Sequence, residues 1–168
     1  MANKKKWVTL GIIVFIVIFL LAWWLVSPLF LDEIVNEELP SPDVLKENVK
    51  EEMIPESQTS ESIVDYSGVF KDADSFHKTS GTALIVTSEG KKYLRLEDFQ
   101  ATNGPDLYVY LATDSEASDF INLGALKGNI GNQNYEISEN VDFEKYDEVL
   151  IWCKAFGVLF GSAEISVK

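Results

Sequence analysis

The sequence is poor in the two side chains that most often carry redox and metal chemistry. Its 168 residues include one cysteine, Cys153, and one histidine, His77. A structural zinc site takes about four such ligands, and a blue-copper site takes two histidines and a cysteine, so this chain alone can build neither. An intrachain disulfide or a Cys-x-x-Cys pair is excluded because each needs a second cysteine. We therefore expect no cofactor held by the residues of this chain.

Positive charge is also scarce. The chain has 14 Lys and Arg residues against 27 Asp and Glu residues, which gives a formal net charge of −13. Lys4, Lys5 and Lys6 lie in the first six residues, and the rest of the sequence holds no basic patch. Because a protein that neutralises nucleic-acid phosphates needs such a patch, we expect no nucleic-acid partner.

An apolar run follows these lysines. Residues 10–26 contain no polar or charged side chain, and with its flanks the run covers residues 7–31. As a helix it would be about 37 Å long, against about 30 Å for a hydrocarbon core, which predicts a single transmembrane anchor. A cleaved signal peptide is the alternative, but its apolar region is shorter and ends in small residues, whereas this run ends near Trp23 and Trp24. The lysines predict a cytoplasmic tail over residues 1–6 and an extracytoplasmic location at the cell membrane for everything after residue 31.

Residues 32–65 form an acidic segment with three prolines and a polar run. This composition favours a mobile linker between the anchor and a folded domain. A short helix is one option inside it, because Ser41 suits an N-cap and Leu45, Val49 and Met53 recur every four residues.

Residues 66–168 predict an all-β domain. Short apolar or alternating runs are separated by turn residues, which is typical of a β-sandwich or a flattened barrel of antiparallel strands. Residues 128–134 are rich in Gly and Asn and predict a loop, and residues 116–123 and 143–146 predict one helical turn each. The predicted strands cover residues 82–87, 92–96, 106–113, 135–137 and 149–154, and alternation continues from 156 to 167.

Five motifs in this domain resemble one family. They are FHKTSGTA at residues 76–83, YLRLEDF at 93–99, TNGPDLYVYL at 102–111, LGALKGNIGNQNYEI at 123–137 and VLIWCKAFGVLFGSA at 149–163. In content and order they resemble the DM-thirteen domain, an electron-transfer family, over residues 66–168. The resemblance implies a β-rich extracytoplasmic module with a redox role at Cys153. Relatives of this family accompany haem-binding domains, and this chain has none, so the resemblance implies a redox partner protein that carries haem or flavin.

The residues themselves leave two interpretations of each candidate site residue open. Cys153 shares a strand face with Val149 and Ile151, so we expect it to be largely buried among apolar side chains; it is then either a small structural hydrophobe or a redox thiol. His77 lies in a polar loop, where it is either a hydrogen-bonded structural residue or a functional one that ligates a metal or serves as a base. A contact between His77 and Cys153 would activate the thiol.

Other functions have weaker support. Glu97, Asp98, Asn103 and Asp106 bracket one loop and could bind calcium, but their spacing is not that of an EF-hand, and turn formation explains them. A hydrolase is disfavoured because no Gly-x-Ser-x-Gly motif accompanies the histidine. The sequence therefore predicts a membrane-anchored redox module that acts with a cofactor-bearing partner. The alternative is a non-enzymatic surface module that binds a protein or a glycan.

Overall fold

The computed structural model describes residues 2–26, 31–39, 63–88 and 90–168. Within residues 2–26, it describes the side chains of residues 7–23. Helix α1 spans Ala2–Val26, and its described apolar side chains, from Trp7 to Trp23, are exposed. Among the described residues, no helix combines the length and the apolar character that crossing a membrane requires. The single span predicted over residues 7–31 is therefore not confirmed. The short helix considered near residues 41–53 lies outside the described residues.

Ten strands form the folded domain within the part of the chain that the structure describes. Their antiparallel pairings build two five-stranded sheets, sheet A in the order β10-β1-β3-β4-β7 and sheet B in the order β2-β9-β8-β5-β6. Within the described ranges these sheets do not close into a barrel, so the β-sandwich is confirmed and the flattened barrel is not. The strands are β1 (Ile63–Val69), β2 (Lys71–Asp72), β3 (Thr79–Ser88), β4 (Lys91–Ala101), β5 (Leu107–Ala112), β6 (Phe120–Ala125), β7 (Ile130–Ile137), β8 (Glu148–Cys153), β9 (Val158–Glu164) and β10 (Ser166–Val167).

The core lies between the two sheets and follows from side-chain alternation along the strands. On β8, the central strand of sheet B, Val149, Ile151 and Cys153 face the core cluster, while Leu150 packs on the opposite face with Tyr110. Both faces of β8 are therefore covered, which its nearly continuous apolar sequence predicts.

Two predicted non-strand segments are strands. β6 begins at Phe120 and takes up the second half of residues 116–123, where a helical turn was expected, because its residues pair with β5, with Asn122 opposite Tyr110. β7 begins at Ile130, inside the expected Gly/Asn loop, where Gly131 adopts a φ of 105° that only glycine tolerates easily. The helical turn expected at residues 143–146 is present, because the Tyr146 N–H donates to the Asp142 carbonyl at 2.9 Å.

Residues 31–39, here called the docked segment, pack on the domain, although all of them except Leu31 lie inside the predicted linker. Ile34 forms a parallel bridge with Ile130. The Val35 N–H donates to the Ile130 carbonyl at 2.9 Å, and the Glu37 N–H donates to the Asn132 carbonyl at 2.8 Å. The docked segment thus extends sheet A beyond β7. The mobile linker that its acidic composition predicts is therefore not what these residues form.

Candidate functional site

A pocket of about 570 Å³ opens at one end of the sandwich and includes both candidate site residues. Three connections meet there: the loop between β2 and β3, the loop between β4 and β5, and the turn between β8 and β9. We call it the Cys153 pocket. Its lining residues are Phe76, His77, Thr102, Asn103, Gly104, Pro105, Cys153, Phe156, Val158 and Phe160.

Cys153 forms the base of this pocket. It is the last residue of β8, it is 1% exposed, and it belongs to the core cluster. Its Sγ donates to the carbonyl oxygen of Pro105 at 3.0 Å. The predicted burial of Cys153 among apolar side chains is therefore confirmed, and its thiol is held in a defined direction by the β4–β5 loop.

His77 is fixed on the wall of the pocket by two contacts. Its Nδ1 lies 2.8 Å from Asp74 Oδ2, and its ring centroid lies 4.2 Å from that of Phe160. The backbone N–H groups of His77 and Phe76 both donate to Asp74 Oδ1 at 2.7 Å. These bonds, the His77 backbone N–H first among them, lower the pKa of Asp74 to about 2. Asp74 thus orients the imidazole and stays ionised at neutral pH.

The two candidate residues share the pocket without a hydrogen bond to each other. Cys153 is bonded to Pro105, and His77 is bonded to Asp74. The histidine therefore fits the structural, hydrogen-bonded interpretation, while it remains the titratable side chain that lines the same pocket as the thiol. Asp74 was not among the sequence candidates, although an Asp three residues before a His in a polar loop is a recognisable turn pattern.

The mouth of the pocket is aromatic and apolar. Phe76 and Phe156 both line the pocket, and they are 81% and 73% exposed. Exposed phenylalanines at the rim of a concave apolar surface are typical of protein interaction sites. Such a pocket suits an apolar or aromatic group of a partner rather than an ion.

The residues considered for calcium have other partners. Glu97 accepts from the Arg95 Nε at 2.7 Å, and Asn103 donates to the Leu31 carbonyl at 3.2 Å. Asp98 and Asp106 both have a positive φ, Asp98 where β4 shifts register against β7 and Asp106 directly before β5. Across the described parts of the chain, no cluster of three or more His, Cys, Asp and Glu side chains could hold a metal ion.

A family model described as "Electron transfer DM13" matches residues 70–165, more than half of the chain. The chain belongs to the electron-transfer DM13 family. All residues that line the Cys153 pocket lie inside the DM13 match, whereas α1 and the docked segment lie outside it. Membership of this family suggests a redox-related role. No curated protein and no solved structure gives a match.

Proposed function

We propose that the DM13 domain is a redox module that exchanges an electron with a partner protein carrying haem or flavin, and that Cys153 is its redox group. One observation supports this assignment most directly. The sole thiol of the chain lies at the base of an apolar pocket whose mouth bears two exposed phenylalanines. A partner that docks on Phe76 and Phe156 would bring its cofactor close to the thiol.

The proposed step is a one-electron exchange. The S–H bond of Cys153 breaks, one electron passes to the oxidised haem or flavin of the partner, and the proton passes to the imidazole of His77 or to water. The domain is left with a thiyl radical and the partner with a cofactor reduced by one electron, and the reverse step restores the thiol. The chain has no second cysteine with which the oxidised sulfur could form an intrachain disulfide.

A non-enzymatic binding module is the second candidate. It is favoured by the burial of Cys153 and by the hydrogen bond from its Sγ to Pro105, because a buried thiol usually behaves as a small hydrophobe. In this case the Cys153 pocket receives an apolar side chain of a protein partner, and the thiol only fills space.

Cys153→Ala separates the candidates. The full chain is purified with the protein that co-purifies, and absorbance identifies haem or flavin on the partner. If the redox proposal is correct, the unmodified chain exchanges an electron with that cofactor, and Cys153→Ala keeps the partner bound but abolishes the exchange. If the domain only binds, the unmodified chain shows no exchange and Cys153→Ala leaves binding unchanged. Phe156→Ser should release the partner in both cases, which tests the docking surface. Val167→Ser, an exposed apolar position outside the pocket, is the matched control for Phe156→Ser.

The site of action is a separate proposal. We propose that the domain works outside the cytoplasm at the cell membrane. The support is the lysine-first order of the N-terminal sequence and the exposed apolar side chains along α1, which need a cover other than water. Protease added to intact cells should then cleave the DM13 domain, and protection of the domain until the cells are lysed would contradict this location.

A further inference from the structure

The docked segment is bound through polar side chains, two of which, Asn129 and Arg95, are themselves buried. It runs parallel to β7, the edge strand of sheet A. Near its start, the Oδ1 of Asn129 accepts from the Glu33 N–H at 2.7 Å, and the Nδ2 of Asn129 donates to Asp32 Oδ1 at 2.9 Å. Asn129 is 6% exposed. The side-chain amide of Asn129 therefore binds both the backbone and a carboxylate of the segment.

A second set of contacts holds Glu37. The Lys127 Nζ donates to both carboxylate oxygens, at 2.7 and 2.9 Å, and the Asn134 N–H donates to Oε2 at 2.7 Å. Arg95, which is 6% exposed, donates from Nη1 to the Glu37 carbonyl at 3.2 Å. Burial alone would raise the pKa of Glu37, but these bonds outweigh it and lower the pKa. The site therefore selects an ionised carboxylate at this position.

Two glycines leave room for the backbone of the segment. A Cβ at Gly128 would lie 2.5 Å from the Glu33 carbonyl oxygen, and a Cβ at Gly131 would overlap the Val35 carbonyl oxygen. These glycines, with Asn129, Asn132 and Asn134, belong to the Gly/Asn-rich stretch at residues 128–134. This stretch is therefore a surface that admits an extended chain at close range, with amide groups placed to bind it.

The docked segment is not part of the DM13 unit. The family match begins at residue 70, and residues 40–62 separate the segment from β1. A chain of 23 residues reaches at most about 80 Å, so the segment is covalently held within that distance of β1. The segment thus has the position of a ligand that is tethered to its own receptor.

We propose that the β7 edge is a binding site for extended acidic peptides, and that the docked segment is its resident, displaceable ligand. The site takes a peptide that pairs in parallel with β7 and carries two carboxylates five positions apart, as Asp32 and Glu37 are. Asn129 and Asn103 bind the first carboxylate, at 2.9 and 3.0 Å, and Lys127 binds the second. The specificity comes from these carboxylates, and the backbone bonds provide much of the affinity.

The test adds a fluorescent peptide of sequence LDEIVNEEL to the purified full chain. The double variant Asp32→Ala with Glu37→Ala weakens the resident ligand, so the peptide should bind this chain at least ten-fold more tightly than it binds the unmodified chain. Adding Lys127→Glu to the double variant should reduce that binding at least ten-fold. Lys91→Glu is the matched control, since Lys91 is an exposed lysine of the same sheet that pairs with Glu136 of β7.

Two results would overturn the proposal: no saturable binding to a folded double variant, or equal weakening by Lys127→Glu and Lys91→Glu. A second measurement needs no substitution. Excess peptide added to the unmodified chain should speed amide exchange at Val35 and Glu37 of the resident segment, while the Ile130 amide stays protected by the incoming peptide. Unchanged exchange at Val35 and Glu37 under saturating peptide would show that the segment is a fixed part of the domain.

Discussion

Gln133 is the most consequential buried polar side chain outside the Cys153 pocket. It is fully buried on β7, and its Oε1 accepts from the Lys127 N–H and the Gly128 N–H, both at 3.2 Å, and from the Tyr135 hydroxyl at 2.9 Å. Its Nε2 donates to the Gly128 carbonyl at 2.7 Å. One amide therefore ties the loop before β7 to the strand itself.

Gln133→Leu should remove these bonds without creating a large cavity. Lys127 N–H would keep a partner, because the Tyr135 hydroxyl lies 3.0 Å away. Three other groups would each lose a hydrogen-bond partner: the Gly128 N–H, the Gly128 carbonyl and the Tyr135 hydroxyl. Since an unsatisfied buried polar group costs about 1–3 kcal/mol, we expect a loss of about 3–5 kcal/mol after partial relaxation. That is a large share of the roughly 5–15 kcal/mol that a domain has in total.

Chemical denaturation followed by circular dichroism measures this loss, and a thermal scan should show a fall of more than about 10 °C in Tm. Gln100→Leu is the matched control, because Gln100 is exposed on the neighbouring strand β4. Its effect should stay within about 0.5 kcal/mol. A loss below about 1 kcal/mol for Gln133→Leu would refute the argument, since it would mean that the freed groups find water or other partners.

Three further outcomes are expected. Cys153→Ala should lower the free energy of unfolding by about 1–2 kcal/mol through lost packing, and Cys153→Ser by about as much, because the Pro105 carbonyl offers its hydroxyl an acceptor. Denaturant midpoints measure both losses. Fast labelling of native Cys153 by a bulky thiol reagent would contradict its burial. Asp74 should titrate near pH 2 by NMR. Its stabilisation of the β2–β3 loop is therefore present above about pH 4 and is lost as the pH falls towards 2. Asp74→Asn should remove this pH dependence. A metal chelator should leave Tm unchanged, and a fall of many degrees would revive the calcium site considered at Glu97, Asp98, Asn103 and Asp106.

The sequence predicts the central strands well because their signal is local. The apolar residues on both faces of β8 can be read without knowing its neighbours, and the structure covers both faces. The burial of Cys153 follows from the same pattern. The hydrogen-bond partner of Cys153 does not follow from this pattern, because Pro105 is 48 positions away and belongs to a loop whose path depends on the whole sandwich.

The edges of the domain were harder to predict for the same reason. In residues 128–134 the Gly and Asn content points to a loop, but pairing with β4 and with the docked segment makes most of that stretch a strand. The contact between Glu33 and Asn129 joins residues 96 positions apart. An acidic composition favours solvation of a segment in isolation. It cannot show that the segment pairs with a strand that lies far away in the sequence, as residues 31–39 pair with β7.

The docked segment and the Cys153 pocket meet at one residue. Asn103 lines the pocket, and its Nδ2 donates to the Leu31 carbonyl at 3.2 Å and to Asp32 Oδ1 at 3.0 Å. Because five chain steps separate Leu31 from Val26, the last residue of α1, these two Cα atoms are at most about 18 Å apart. A free linker over residues 32–65 would let the pocket face any direction, whereas docking ties the pocket end of the DM13 domain to the end of α1. If the proposed redox partner exists, it would have to reach Cys153 beside that end of the helix. Displacement of the docked segment, as proposed above, would then relax this constraint without changing a residue of the pocket.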